Sequence, residues 1–206
     1  MGEGDAILIE LLVPLLGFIL ISTITPGPNN LLLATSGMRF GVRATMPHVI
    51  GIHFGIYTMT VLCGLGMGQL LLALPDAIIG MKIFGSMYLV YLAWKIMGFR
   101  LTETSSDIQR PMTTMEAGLF QFANPKAWFM TTTGVSLAIP VGDSATVAVI
   151  CVCLGFATLG LACNYAWVLT GSLLQGWLRH PRYGLWINGL LAVLTLLTVI
   201  MFWLTE

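Results

Sequence analysis

The chain has 206 residues, of which 57% are hydrophobic and only 9% charged, with nine basic side chains balanced by nine acidic ones. A soluble domain carries roughly 25% charged residues. With a mean hydropathy of +0.89, this composition describes an all-α integral membrane protein, and its zero net charge gives no support to a nucleic-acid or strongly charged partner. A chain of this length holds about six spans of roughly 20 residues and no separate soluble domain. The expected organisation is therefore one transmembrane transporter domain over residues 1–206.

The segment Met1 to Leu12 contains Glu3, Asp5 and Glu10 but no Lys or Arg. It lacks the basic start of a cleaved signal, so the first apolar run is expected to stay. The first span, about Ala6 to Met38, is longer than one perpendicular helix needs. It is interrupted by Thr25-Pro26-Gly27-Pro28-Asn29-Asn30. Two prolines and a glycine there remove amide donors and loosen the backbone, which lipid tolerates only where other groups satisfy the freed carbonyls or the break lines a cavity.

A polar connection, Arg39 to Arg43, follows. The second span, about Ala44 to Leu74, carries Gly51 with Gly55 and Gly64 with Gly68, spacings that let helices approach closely in lipid. The third, Asp76 to Gly98, begins after Pro75 and holds Lys82, Gly85, Tyr88, Tyr91 and Lys95. Gly85 is a further packing position, and both lysines lie near enough to the span ends to snorkel. Residues 99–113 form the longest polar stretch and read as a loop joining two halves, about 6–98 and 114–204.

The fourth span, about Thr114 to Ile139, is interrupted by Asn124-Pro125-Lys126, and a turn is expected at Pro140-Val141-Gly142-Asp143. The fifth, Ser144 to Leu174, contains Asn164. The sixth, Tyr183 to Leu204, contains Asn188. All six arginines, at 39, 43, 100, 110, 179 and 182, fall in connections after spans one, three and five. The positive-inside rule then places both termini outside the cytoplasm.

Two halves of three spans each are inverted relative to one another, an arrangement common among secondary transporters. The two breaks occupy matching places in the first span of each half. Asparagine is a favoured N-cap and proline a favoured first helical residue, so Asn124-Pro125 reads as a helix start within a span. Pro28 after Gly27 reads the same way. With the halves inverted, the two half-helices start near the midplane, presenting amides and positive dipole ends.

Lys126 adds a full charge at a depth where insertion costs at least ~2.5 kcal/mol and where such groups usually face an interior pathway. Pro26, Gly27, Pro28, Asn29, Asn30, Asn124, Pro125 and Lys126 are therefore the candidate substrate site. The N-termini and the lysine suit a carboxylate, and the asparagine amides suit polar groups beside it. The plainer reading is that the prolines kink packed helices and Lys126 caps neighbouring carbonyls.

His53 is a candidate for proton coupling because imidazole titrates in the physiological range. Glu10 is a second candidate, although the outer interface would also accommodate it. His48 and His53 do not share a helix face, and Cys151 and Cys153 point to different faces, so no metal site is expected. The chain carries no Walker phosphate-binding motif and no HExxH, so neither a cofactor nor catalysis is expected. Uphill transport must draw on an ion gradient, most simply by proton antiport. A homo-oligomer is compatible with all of this.

Thr25-Pro26-Gly27-Pro28-Asn29, Gly51 with Gly55, the third-span run from Lys82 through Gly85 to Leu92, and Asn124-Pro125-Lys126-Ala127 together resemble the LysE/RhtB family of bacterial amino-acid exporters. The likeness covers nearly the whole chain. It implies inner-membrane efflux of amino acids or close derivatives, with protons as coupling ion. Tyr91 to Lys95 and the doubled Asn29-Asn30 are similar to the cysteine/O-acetylserine branch, whereas Pro125-Lys126 departs from it. The homoserine/threonine branch is the other near resemblance. A passive channel is an alternative. A thiol-disulfide conduit would need a cysteine in each broken span, and all four cysteines lie in spans two and five.

Overall fold

A computed structural model describes residues 3–68, 73–97, 110–142, 144–178 and 181–204. Among these the regular structure is helical, with no strand: α1 (Glu3–Ile24), α2 (Pro28–Gly64), α3 (Pro75–Met97), α4 (Thr114–Phe122), α5 (Pro125–Gly142), α6 (Ala145–Gly155), a π-helical turn (Phe156–Gly160), α7 (Leu161–Leu173), α8 (Gln175–Leu178) and α9 (Pro181–Leu204). The longest polar stretch falls largely outside the described residues, as do Asp143, Arg179 and His180.

Helix α2 is the centre of the fold, and it is a hairpin. Gly41 adopts φ 80°, ψ 172°, a conformation that strains any residue with a Cβ. The hydroxyls of Ser36 and Thr45 meet at 2.9 Å. In a straight helix nine positions separate Cα atoms by about 13.5 Å, too far for two short side chains to bridge, so the chain reverses at Gly41. The expected polar connection at Arg39 to Arg43 is thus a tight reversal with no extended loop, and Arg39 is buried. Pro28–Gly64 has the length and apolarity of a membrane helix, but its two limbs count separately. Ala145–Leu173, continuous through the π turn, passes the same test as one rod.

Small residues set how closely the other helices approach the hairpin. A Cβ on Gly37 would collide with the Val168 carbonyl of α7, and one on Gly171 with the Ala34 carbonyl. A Cβ on Gly51 would overlap the Thr114 carbonyl and Ala117, and one on Gly55 would lie 2.7 Å from the Gly118 carbonyl. These contacts bring α7 against the first limb and α4 against the second. A Cβ on Gly64 would run into Val149, and one on Gly68 would lie 3.0 Å from Thr132 Oγ1. Gly85 is buried on α3. Helix α1 lies against α5 and the π turn, and α3 pairs with α9.

The start of α4 is fixed by a capping box. Thr113 Oγ1 accepts from the Glu116 amide at 3.2 Å, and Glu116 accepts from the Thr113 amide at 2.8 Å. Arg110 grips the same carboxylate through two donors, each at 2.7 Å. The turn expected from Pro140 is corrected. Helix α5 continues through Pro140 to Gly142, and Ser144 then caps α6 by accepting from the Val147 amide at 3.3 Å. Within the fifth span, the π turn Phe156–Gly160 interrupts the α-helix.

Leu15, Ile19, Leu33, Val49, Ile52, Met59, Val135, Val152 and Val168 belong to the main core. Large apolar side chains are nevertheless exposed over the outside, among them Phe54, Phe84, Trp94, Leu154 and Trp186, each 60% exposed or more. An apolar exterior on this scale is a surface built for lipid.

Candidate functional site

The first break is short and open. Helix α1 ends at Ile24, and α2 starts at Pro28 with Gly27 in extended conformation at the N-cap. Pro28 has no amide to leave unsatisfied and its fixed φ suits a first helical turn. Gly27 has no side chain with which to cap the next amides, and no side-chain cap is present. The freed carbonyls of α1 are met from two directions. Asn30 Nδ2 donates to the Thr23 and Thr25 carbonyls, both at 2.8 Å. Lys126 Nζ donates to the Thr25 carbonyl at 2.7 Å.

The second break is closed. Asn124 Oδ1 accepts from the Lys126 amide at 3.1 Å, with Pro125 as the first residue of α5. The Asn124 amide donates to the Gln121 carbonyl at 3.0 Å, and Trp128 Nε1 donates to the Phe122 carbonyl at 3.0 Å. The cap and start that the sequence predicts at Asn124-Pro125 are therefore present.

Lys126 links the two breaks. Its backbone belongs to the second, and its ammonium lies over the first, where a Cβ on Gly27 would stand 2.9 Å from Nζ. Among the described residues it has no carboxylate partner; its contacts are the Thr25 carbonyl and, at 3.5 Å, the Pro26 carbonyl. A second link is an exchange of amides between Asn29 and Gln121. Asn29 Nδ2 donates to Gln121 Oε1 at 2.7 Å, and Gln121 Nε2 donates back to Asn29 Oδ1 at 3.1 Å.

A cavity of about 30 Å³ lies between these groups. Gly27, Pro28, Asn29, Asn30, Asn124 and Lys126 all line it, joined by His53 from the second limb of α2. The sequence-predicted site residues are thus brought to one place, except that Pro26 and Pro125 flank the lining without forming it. The space suits one or two water molecules, so admitting anything larger requires a wall to move.

His53 Nδ1 lies 2.9 Å from the Val49 carbonyl. A carbonyl only accepts, so Nδ1 carries the hydrogen and Nε2 is the free ring nitrogen. His48 is buried outside the cavity lining, and among the described residues neither of its ring nitrogens has a partner. Glu10 is on α1, and its side chain falls outside the described residues.

Sequence reasoning missed two residues. Gln121 is fully buried and pairs with Asn29; the signal was its position one turn before the break. Asn164 is 5% exposed, lines the cavity and makes no hydrogen bond within the described protein. The π turn that positions it left no mark in the apolar pattern.

The family model of the LysE type translocator matches residues 20–204. The chain belongs to the LysE translocator family. It is 31% identical over 181 residues to the cysteine/O-acetylserine efflux protein of Salmonella paratyphi A, covering 86% of this chain and 89% of that one. It is 30% identical over 177 residues to the protein of the same name in Escherichia coli K12, with the same coverage. No solved structure matches. As a LysE translocator the chain is a multi-pass protein of the inner membrane and a transporter, with no sign of a catalytic centre among its described residues.

Proposed function

We propose that this LysE translocator exports amino acids or close derivatives from the cytoplasm by proton antiport, holding the substrate carboxylate at mid-membrane between Lys126 and the open N-terminus of α2. The observation that carries this reading is the Lys126 ammonium, placed over an uncapped helix start at the edge of a cavity and without a carboxylate partner among the described residues. A half-buried cation with only carbonyls for company gains by exchanging them for an anion. The backbone N–H groups of Asn29 and Asn30 in the first turn add donors and a positive dipole end. The closed second break supplies the lysine and contributes its own dipole end less directly, because Asn124 already occupies the Lys126 amide.

The two breaks support six spans in two inverted repeats of three, with both termini outside the cytoplasm. His53 suits the coupling step. Its free Nε2 accepts from the substrate ammonium when the ring is neutral, and protonation converts that attraction into repulsion. Substrate loaded from the cytoplasm onto a neutral ring is therefore released when a proton arrives from outside. A relative's name specifies cysteine and O-acetylserine, and efflux of these or similar small amino acids asks for the smallest opening of the compact cavity.

The test is uptake of labelled cysteine, serine and O-acetylserine into inverted vesicles with and without an imposed pH gradient. Export by antiport predicts accumulation that collapses with the gradient. Gradient-independent flux that only equilibrates would establish a passive channel.

A further inference from the structure

Resting on the export reading, the geometry points to Asn164 as the residue that selects substrates with a small, uncharged, polar side chain. Asn164 is buried in the cavity wall and makes no hydrogen bond with the described protein, although its amide offers both donors and an acceptor. A membrane protein retains such a group where a ligand completes it.

Its placement depends on the π turn. Phe156, Gly160 and Asn164 all line the cavity at successive intervals of four residues. A π turn accommodates one residue more than an α turn, which rotates everything after it by about 100°. With uniform α-helix from Ala145, Asn164 would be turned by about that angle from its present direction. Gly160 keeps the wall low, since a Cβ there would lie 3.2 Å from the Phe156 ring.

The chemistry of the lining restricts the substrate. Lys126 is its one charged side chain apart from the titratable His53, and the carboxylate takes Lys126. A cationic substrate side chain finds no anion there, and an anionic one competes for the same lysine. Ile52, Ile56, Met130 and Phe156 supply apolar contact. What remains for Asn164 is a neutral hydrogen-bonding group: a hydroxyl, a thiol or an ester carbonyl.

Serine, cysteine and 2-aminobutyrate have nearly the same shape, and the last has nothing to offer an amide. A site that hydrogen-bonds a substrate group discriminates strongly against the analogue lacking it. In proteoliposomes, wild-type kcat/KM for serine over 2-aminobutyrate is expected to be on the order of 100-fold. Asn164→Leu should bring that ratio to within about tenfold of unity by losing serine and keeping 2-aminobutyrate, and Asn164→Gln should recover part of it.

Should the leucine variant be lost from the membrane, Asn164→Ala gives the same ratio with a smaller perturbation. A purely structural role would lower both substrates together. An unchanged ratio in active Asn164 variants would overturn this assignment and leave export standing. A wild-type protein that moves no amino acid would overturn both.

Discussion

The two breaks look alike in sequence, each a proline following a residue suited to start a helix, but they are built differently. In the second, Asn124 caps the new helix and Trp128 satisfies a carbonyl left behind. In the first, Gly27 provides no cap, and the carbonyls are satisfied by Asn30 from within and Lys126 from across the protein. The second break is self-contained, whereas the first is completed by a side chain from the other break. On the proposed reading, that asymmetry separates a structural helix start from a binding one, with Lys126 as the part they share.

The comparison can be broken at its strongest point by removing the shared lysine. Lys126→Ala should reduce transport by at least about 100-fold, the cost of one well-placed charged contact, while leaving the protein in the membrane at normal abundance. Wild-type flux from this variant would reduce Lys126 to a carbonyl cap. Gly27→Ser comes next: it offers the missing cap to α2 and pushes its Cβ against the ammonium, so transport should fall about tenfold while thermal stability holds or rises. A loss of stability with unchanged flux would reverse the roles assigned to the two breaks.

Asn124→Ala removes the cap of the closed break. It should destabilise the protein by ~1 kcal/mol, read as a lower melting temperature in detergent, with only a minor effect on flux. His53→Gln sharpens the coupling step: it should keep substrate exchange but lose the response to an imposed pH gradient. Retained gradient-driven accumulation would move the proton to another group.

Much of this arrangement was legible in the sequence because proline, glycine and asparagine act locally. Asn124-Pro125 announces a capped helix start wherever it falls, and the glycines at 51 and 55 announce close packing whichever helix fills the space. The hairpin at Gly41 was visible only as a polar connection, since a positive φ cannot be read from a residue free to adopt any. The π turn was invisible, because Phe156 to Gly160 carries no breaker and its apolar run is compatible with unbroken α-helix. The asymmetry of the breaks was hidden too, because it depends on which carbonyl a long lysine reaches from a distance of 101 residues along the chain.

The most direct test of the central claim is whether the protein requires a carboxylate, measured by competition of cysteamine against cysteine for export of labelled cysteine by wild-type and Lys126→Ala protein. The thiol and amine are common to both competitors. The account predicts that cysteamine fails against the wild type by roughly 100-fold relative to cysteine and that whatever binding survives in the lysine variant no longer distinguishes them. Equal competition by the two against the wild-type protein would contradict it.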